Sequence, residues 1–174
     1  MKKFIIFYFL SLFSNAAFCQ MENYYDLNFD DTDNLYHLSI DTTSNPNNIW
    51  QVGMVQKSIF SSAYSAPNVI VTDTLNAYAP NDTSIFTLTN IVSGLGFIWP
   101  HTIVFSGQYF VNSDSLTDFG IIELSPDNGD TWIDLINDTI YNALIDWGLN
   151  KPTLTGNTNG WGSFKAFFPE LVPI

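Results

Sequence analysis

Short runs of β-branched and aromatic residues recur along the chain and are separated by clusters of Asn, Asp, Gly, Ser and Pro. Hydrophobic positions at helical spacing are almost absent, so the pattern predicts strands rather than helices. The predicted strands span residues 36–40, 49–52, 68–72, 84–90, 102–111, 119–125, 131–136 and 162–168. The sequence therefore predicts an all-β domain.

The longest alternation runs from Thr102 to Val111. Phe105 and Tyr109 belong to one face of this predicted strand, Val104 and Phe110 to the other, so both faces are partly apolar. A strand of this kind is expected at the centre of one sheet, packed against a second sheet and partly covered on its outer side. The predicted fold class is thus an antiparallel two-sheet β-sandwich.

The first nineteen residues have the order of a secretory signal peptide. Lys2 and Lys3 precede an apolar run from Phe4 to Phe13, and small residues follow before Cys19. The apolar run is much shorter than the roughly 20 residues that span a bilayer. We therefore expect residues 1–19 to be removed and the protein to be secreted or held at the cell surface, without insertion into a membrane.

Cys19 also allows an alternative, in which the cysteine carries a lipid anchor. Lipoprotein processing requires a small residue before the cysteine, and Phe18 is bulky, so cleavage after Cys19 is the preferred interpretation. The mature chain then has no cysteine, and its stability must come from the core or from bound ions.

Residues 20–174 are expected to form a single domain, because no linker rich in Gly, Ser or Pro divides them. The full chain has a net charge of −12 and no arginine, and the mature part keeps only Lys57, Lys151 and Lys165 as cations. Such a surface repels phosphate backbones and anionic lipids, which argues against nucleic-acid and membrane-surface partners.

One motif stands out: Ser125, Asp127, Gly129, Thr131 and Trp132 fit the spacing Ser-x-Asp-x-Gly-x-Thr-Trp. It resembles the Asp-box of sialidases and other secreted β proteins. The Asp127 carboxylate is expected to accept backbone N–H groups across a tight turn, Gly129 to supply a positive φ, and Trp132 to pack beneath the hairpin. The motif therefore predicts a structural hairpin, not a catalytic site.

The resemblance does not extend to sialidase activity. A sialidase requires repeated boxes on a propeller and a cluster of arginines for the substrate carboxylate, whereas this chain has one box and no arginine.

A wider resemblance covers residues 29–168. The run Ile49–Lys57, with the pattern W-x-x-G-x-x-x-K, precedes the segment Asp114–Glu123, which leads directly into the Asp-box. In this order they resemble the MAM-like, concanavalin-like jelly-roll domains of secreted Bacteroidetes proteins. The resemblance implies an accessory, non-catalytic role in binding or adhesion. Such domains usually continue with further strands, so the resemblance leaves open that the chain lacks its last strands.

Two sets of side chains are candidates for ligand binding. Carboxylates that follow the processed N-terminus or flank the start of the box hairpin could hold Ca²⁺, which prefers clustered hard oxygen ligands; they are Asp30, Asp31, Asp33, Asp114 and Asp118. The alternative is that they are solvated loop acids. Aromatic residues at loop ends could form a platform for sugar rings; they are Trp50, Trp99, Trp147, Trp161, Tyr64 and Tyr78. The alternative is that they belong to the core.

No catalytic apparatus is recognisable. His37 and His101 lie in no metal-ligand spacing, and no G-x-S-x-G is present. The first hypothesis is therefore a non-catalytic extracellular module that binds a glycan or a cell-surface protein. The second is a glycan-active hydrolase that uses paired carboxylates such as Glu123, and the third is a structural spacer.

Overall fold

The structure is a computed structural model that describes residues 26–79, 81–89, 102–139, 145–148 and 150–169. The predicted signal peptide at residues 1–19, the lipid-anchor alternative at Cys19, and Trp99 and His101 lie outside the described residues.

Regular structure in these residues consists of one 3₁₀-helix, Thr32–His37, and nine short strands, with no α-helix. The strands are β1 Leu38–Ser39, β2 Trp50–Gly53, β3 Val69–Thr72, β4 Thr87–Leu88, β5 Thr102–Tyr109, β6 Glu123–Leu124, β7 Ile133–Asp134, β8 Asp146–Trp147 and β9 Gly162–Pro169. The prediction of an all-β chain is confirmed at this level.

The strands form four small antiparallel sheets. β1 pairs with β4, β2 with β3, and β6 with β7, while β5, β9 and β8 form a three-stranded sheet in that order. The ladder between β5 and β9 is the longest and joins eight residue pairs, from Thr102 opposite Pro169 to Tyr109 opposite Gly162. Within the described residues the strands therefore form several small antiparallel sheets, and the two-sheet sandwich expected from the sequence stays a prediction.

Three sequence predictions need correction within the described residues. Tyr36, expected in a strand, lies in the 3₁₀-helix, and strand pairing begins only at Leu38. β9, not β5, takes the middle position of its sheet. The outer face of β5 is also open to solvent, because Val104 is 50% exposed and Ser106 and Gln108 are exposed. β8 was not predicted at all.

The main core lies between the three-stranded sheet and the β6–β7 hairpin. Ala166 and Phe168 of β9 are buried with Leu135, which follows β7, and with Ile145. Ile122 and Leu124 pack onto this cluster from the first arm of the hairpin, and Phe105 and Trp147 from the sheet. The hairpin and the three-stranded sheet thus contribute side chains to one apolar cluster.

None of the helical structure in the described residues is long and apolar enough to cross a membrane.

Candidate functional site

Four aromatic rings meet beside the Tyr109–Gly162 end of the β5–β9 ladder, and we call them the aromatic platform: Phe60, Tyr64, Phe110 and Trp161. Phe60 and Phe110 stack with centroids 4.7 Å apart and planes inclined by 20°. Trp161 presents its ring edge-on, 6.1 Å from Phe60, 6.0 Å from Tyr64 and 5.9 Å from Phe110. Tyr64 is 62% exposed and the other rings are half-buried, so the cluster holds itself together yet remains accessible.

The continuation of the β5–β9 ladder brings Phe110 and Trp161 together. Phe110 directly follows β5 and Trp161 directly precedes β9. Beyond them, the backbone N–H of Thr158 donates to the carbonyl of Val111 at 3.0 Å, and Val111 N–H donates to Thr158 Oγ1 at 3.1 Å. The same hydroxyl donates to the Gly160 carbonyl at 2.7 Å, which fixes the loop before Trp161.

Phe60 and Tyr64 come from the segment after β2, which is anchored at both ends. Before the rings, Val55 and Lys57 are buried, and Lys57 Nζ donates to the carbonyl of Thr72 at 2.5 Å. Between the rings, Ala63 is also buried. From this segment Phe60 contacts Phe110 and Trp161, and Tyr64 contacts Trp161.

The platform lies on segments without side chains that are charged at neutral pH. Residues 58–72, 102–113 and 152–164 contain no Asp, Glu, Lys, Arg or His, although the whole chain carries a net charge of −12. Exposed hydroxyl and amide groups are available in the same segments, at Ser61, Ser62, Ser65 and Asn159. These segments are therefore aromatic and polar and carry no charged side chain of their own.

The structure places the sequence-predicted aromatic residues in different environments. Tyr64 and Trp161 meet on the platform. Trp50 packs edge-on against Phe86, with centroids 4.7 Å apart, and its Nε1–H donates to the carbonyl of Ser84 at 3.0 Å. Trp50 thus joins two loops instead of offering a free face.

Two further predicted aromatics have structural contacts as well. Trp147 packs onto the main core, where its Nε1 is buried without a hydrogen-bond partner in the structure. Tyr78 donates its hydroxyl hydrogen to Asp118 Oδ2 at 2.6 Å, and this hydrogen bond raises the pKa of Tyr78, with burial adding to the effect. Neither residue contributes to the platform.

Sequence reasoning missed Phe60 and Phe110. Phe110 was assigned to the outer face of a regular strand, but β5 ends at Tyr109 and the chain then turns Phe110 toward Phe60. Phe60 lies in a segment without strand alternation. The signal that could have found them is the absence of charge in the three segments, which stands out in so acidic a chain.

The motif at Ser125–Trp132 forms a tight hydrogen-bonded turn between β6 and β7. Asp127 Oδ1 accepts the backbone N–H of Thr131 at 2.8 Å and Asp127 Oδ2 accepts the Thr131 hydroxyl at 2.6 Å. Ser125 Oγ donates to Asp127 at 2.9 Å and accepts the N–H of Gly129, whose φ is +100°. Hydrogen bonds from Thr131 lower the pKa of Asp127 below 3.8, so the carboxylate stays charged.

Trp132 differs from the expectation that it packs beneath this hairpin. Its ring passes close to Gly129, since a Cβ built there would lie 3.9 Å from Trp132 Cζ2, but the residue is 49% exposed. Alternation along β7 explains this, because Ile133 and Leu135 point toward the core and Trp132 and Asp134 away from it.

Three of the five carboxylates proposed as calcium ligands accept hydrogen bonds from the chain itself. Asp30 accepts the backbone N–H of Asn68 at 3.0 Å, Asp114 accepts that of Leu116 at 3.0 Å, and Asp118 accepts the Tyr78 hydroxyl. The side chain of Asp33 lies outside the description. Within the described residues, no three His, Cys, Asp or Glu side chains gather where they could hold a metal ion.

Two clefts flank the loop between β1 and β2 and share Asn48. The first has a volume of about 240 Å³ and is lined by Ser39, Asp41, Asn45, Asn48, Ile85 and Thr87. The second has a volume of about 440 Å³ and is lined by Pro46, Asn47, Asn48, Ile49, Ala79, Asn81 and Asp82. Each lining contains a single carboxylate and no histidine, which is not the paired arrangement that glycoside hydrolysis needs.

Comparisons of the chain with protein-family models, with curated proteins and with solved structures found no match in any of the three.

Proposed function

We propose that this protein is an exported, non-catalytic binding module that takes a neutral carbohydrate on the aromatic platform. The observation that carries the proposal is the convergence of Phe60, Tyr64, Phe110 and Trp161 on three uncharged segments. Export follows from the signal peptide expected at residues 1–19, and in the finer form of the proposal the small sheets belong to a jelly-roll sandwich.

The chemistry of the surface favours a sugar over other ligands. The negative face of an aromatic ring attracts the polarised C–H groups on one side of a pyranose, and Tyr64 exposes most of its surface. Neutral hydroxyl and amide groups beside the ring, at Ser61, Ser62, Ser65 and Asn159, match the hydroxyl groups of a sugar. An anionic glycan would instead meet the long-range repulsion of a chain with a net charge of −12.

The arrangement of carboxylates supports binding over hydrolysis. A glycosidase needs two carboxyl groups on either side of a bound sugar, roughly 5 to 9.5 Å apart. The segments that form the platform contain no carboxylate, and Glu123 lies on the β6–β7 hairpin, outside the linings of both clefts. The hydrolase alternative therefore has no described site at which sugar and paired acids meet.

Calorimetric titration with a panel of neutral oligosaccharides tests the proposal, with an acidic oligosaccharide as the comparison. We expect binding of at least one neutral compound and a change in tryptophan fluorescence, because Trp161 is part of the platform. Tyr64→Ala should abolish most of this binding without unfolding the protein, since Tyr64 is 62% exposed.

Tyr36→Ala is the matched control, because Tyr36 is also exposed, at 72%, but lies in the 3₁₀-helix. The control should bind as the wild type does. Absence of binding across the whole panel, or equal loss in both variants, would overturn the proposal.

A further inference from the structure

Apolar side chains are exposed on the β6–β7 hairpin and on the segment that leads into β6. Phe119, Ile121 and Trp132 are 74%, 49% and 49% exposed. Ile122 and Leu124 pack on the core, so alternation places Phe119, Ile121 and Glu123 on the opposite side, together with Trp132 and Asp134 of the other arm. Large exposed residues that share one face mark an interaction surface more often than isolated ones do.

Two carboxylates lie in the middle of this face. Glu123 is directly opposite Asp134 in the antiparallel register. The N–H of Leu135 donates to the carbonyl of Ile122, which makes that neighbouring pair hydrogen-bonded and the Glu123–Asp134 pair non-hydrogen-bonded. Side chains approach most closely in non-hydrogen-bonded pairs, and like charges at such positions are destabilising.

The fold favours the negative charge of Asp134. Asp134 Oδ1 accepts the backbone N–H groups of Ile136 and Asn137 at 2.8 and 3.1 Å, and Asp134 Oδ2 accepts Asn137 Nδ2 at 2.8 Å. Burial acts to raise the pKa of Asp134, but these hydrogen bonds and the positive charge of Lys151 outweigh it, and the pKa is lowered. The chain therefore keeps two carboxylates opposite each other in register between exposed apolar residues.

The order of apolar and acidic side chains along this face indicates which kind of partner segment would fit it. Ile121 lies two residues before Glu123, and Trp132 lies two residues before Asp134 on the antiparallel arm, so apolar groups flank the carboxylates on both sides. An extended segment has the same two-residue spacing on one face, about 6.8 Å. Its cation would relieve the repulsion between the carboxylates, and its neighbouring apolar side chains would cover Ile121 and Trp132.

We propose that the outer face of the β6–β7 hairpin docks an extended, cationic segment of a partner protein, with a Lys or Arg between Glu123 and Asp134 and apolar residues on Ile121 and Trp132. A second copy of this chain does not fit the role, because its net charge of −12 would repel the first. The surface is separate from the aromatic platform and does not depend on it.

Fluorescence anisotropy with a labelled synthetic peptide tests the proposal. The peptide has a central arginine with a leucine two residues away on each side and threonines between them. We expect binding that weakens as salt is raised, and no binding of the same peptide with glutamate in place of arginine. Glu123→Gln should weaken binding about tenfold, the size expected from about 1.4 kcal/mol, and Trp132→Ala should weaken it by at least as much.

Matched variants separate this site from general attraction to an acidic protein. Asp26→Asn makes the same charge change at another exposed carboxylate, and Tyr36→Ala removes another exposed aromatic ring. Both should bind the peptide as the wild type does. Equal weakening by Asp26→Asn and Glu123→Gln, or no binding of the arginine peptide at low salt, would overturn the proposal.

The stability of the free protein gives a second readout. Because the two carboxylates repel each other, Glu123→Gln should raise the melting temperature slightly while it weakens the peptide complex. A Glu123→Gln protein that melts lower than the wild type would contradict the repulsive pair on which the proposal rests.

Discussion

The ring of Phe164 covers the Cα of Gly107 across the β5–β9 ladder. The two residues are directly opposite in register, and a Cβ on Gly107 would lie 3.0 Å from Cε1 of Phe164. In the next pair on this face, the glycine and the aromatic residue have exchanged strands. Tyr109 of β5 covers Gly162 of β9, and a Cβ on Gly162 would lie 2.8 Å from the ring of Tyr109. Each glycine leaves room for an aromatic ring that packs flat on the neighbouring strand.

Alanine at Gly107 or Gly162 should therefore destabilise the protein. The added methyl would push against Phe164 or Tyr109, and overpacking of this kind costs about 1 to 3 kcal/mol. We expect both variants to unfold at lower urea concentration than the wild type. Gly162→Ala should have the larger effect because the contact is shorter: a Cβ would lie 2.8 Å from two ring atoms of Tyr109 and 3.0 Å from its hydroxyl oxygen.

Gly120→Ala provides the control for these variants. A Cβ at Gly120 would meet Leu154 at an ordinary 3.4 Å, so no ring has to move. Loss of backbone freedom in the unfolded chain should leave this variant neutral or slightly more stable. A destabilisation as large as that of Gly107→Ala would show that the aromatic cover is not the cause.

A second prediction concerns the turn between β6 and β7. Asp127→Ala should lower the melting temperature, because it removes the acceptor for both the backbone N–H and the hydroxyl of Thr131. Asp130→Ala is matched to it in charge and position, and its side chain is exposed in the same turn. The control should melt close to the wild type. An unchanged melt for Asp127→Ala would remove the structural role proposed for the motif.

The pKa values of several turn carboxylates predict loss of stability in acid. Hydrogen bonds from Ser44, Asn76 and Thr131 are the largest causes that lower the pKa of Asp41, Asp73 and Asp127, respectively, below 3.8. A folded-state pKa below the unfolded value means that the stabilisation is present above the unfolded pKa and is lost as the pH falls through the folded pKa. Urea midpoints should therefore fall steeply below pH 3.8.

Replacement of these three aspartates by asparagine should flatten that acid loss. The triple variant should be less stable at neutral pH and should lose less on acidification, because the three carboxylates that accept these hydrogen bonds are gone. A variant with Asp26, Asp130 and Asp146 changed to Asn alters net charge equally at exposed positions. If both triple variants respond to acid in the same way, net charge and not the turns controls the loss.

Local features were the easier part of the fold to predict. The β6–β7 hairpin follows from alternation on both sides of a turn rich in Asp and Gly, and the structure contains it with shorter strands. The partner of β5 could not be predicted, because alternation identifies a strand but not which distant strand pairs with it. The reciprocal Gly–aromatic contacts that fix the β5–β9 register become visible only when both strands are side by side.

The platform was predictable to the same partial extent. The sequence predicts Tyr64 and Trp161 as aromatic residues near loop ends, but nothing in their spacing distinguishes them from Trp147, which packs on the core. Phe60 and Phe110 are far apart in the sequence, so their contact is seen only in the structure, where the chain continues past Tyr109. Burial, not residue type, decides which tryptophan can meet a ligand.

The last prediction concerns Lys57 and the stability of the protein at alkaline pH. It is only 7% exposed, and burial lowers the pKa of Lys57 below 10.5, although the charge of Asp73 acts in the opposite direction. Between the folded and unfolded pKa values the unfolded chain binds more protons, so the free energy of unfolding should rise with pH as it approaches 10.5. Lys57→Met should remove this rise in urea midpoints measured from neutral pH upward, whereas Lys165→Met should keep it. A wild-type urea midpoint that falls steadily over the same pH range would contradict this prediction. It would mean that the hydrogen bond to Thr72 and the nearby Asp73 fully compensate the cost of burying the Lys57 ammonium.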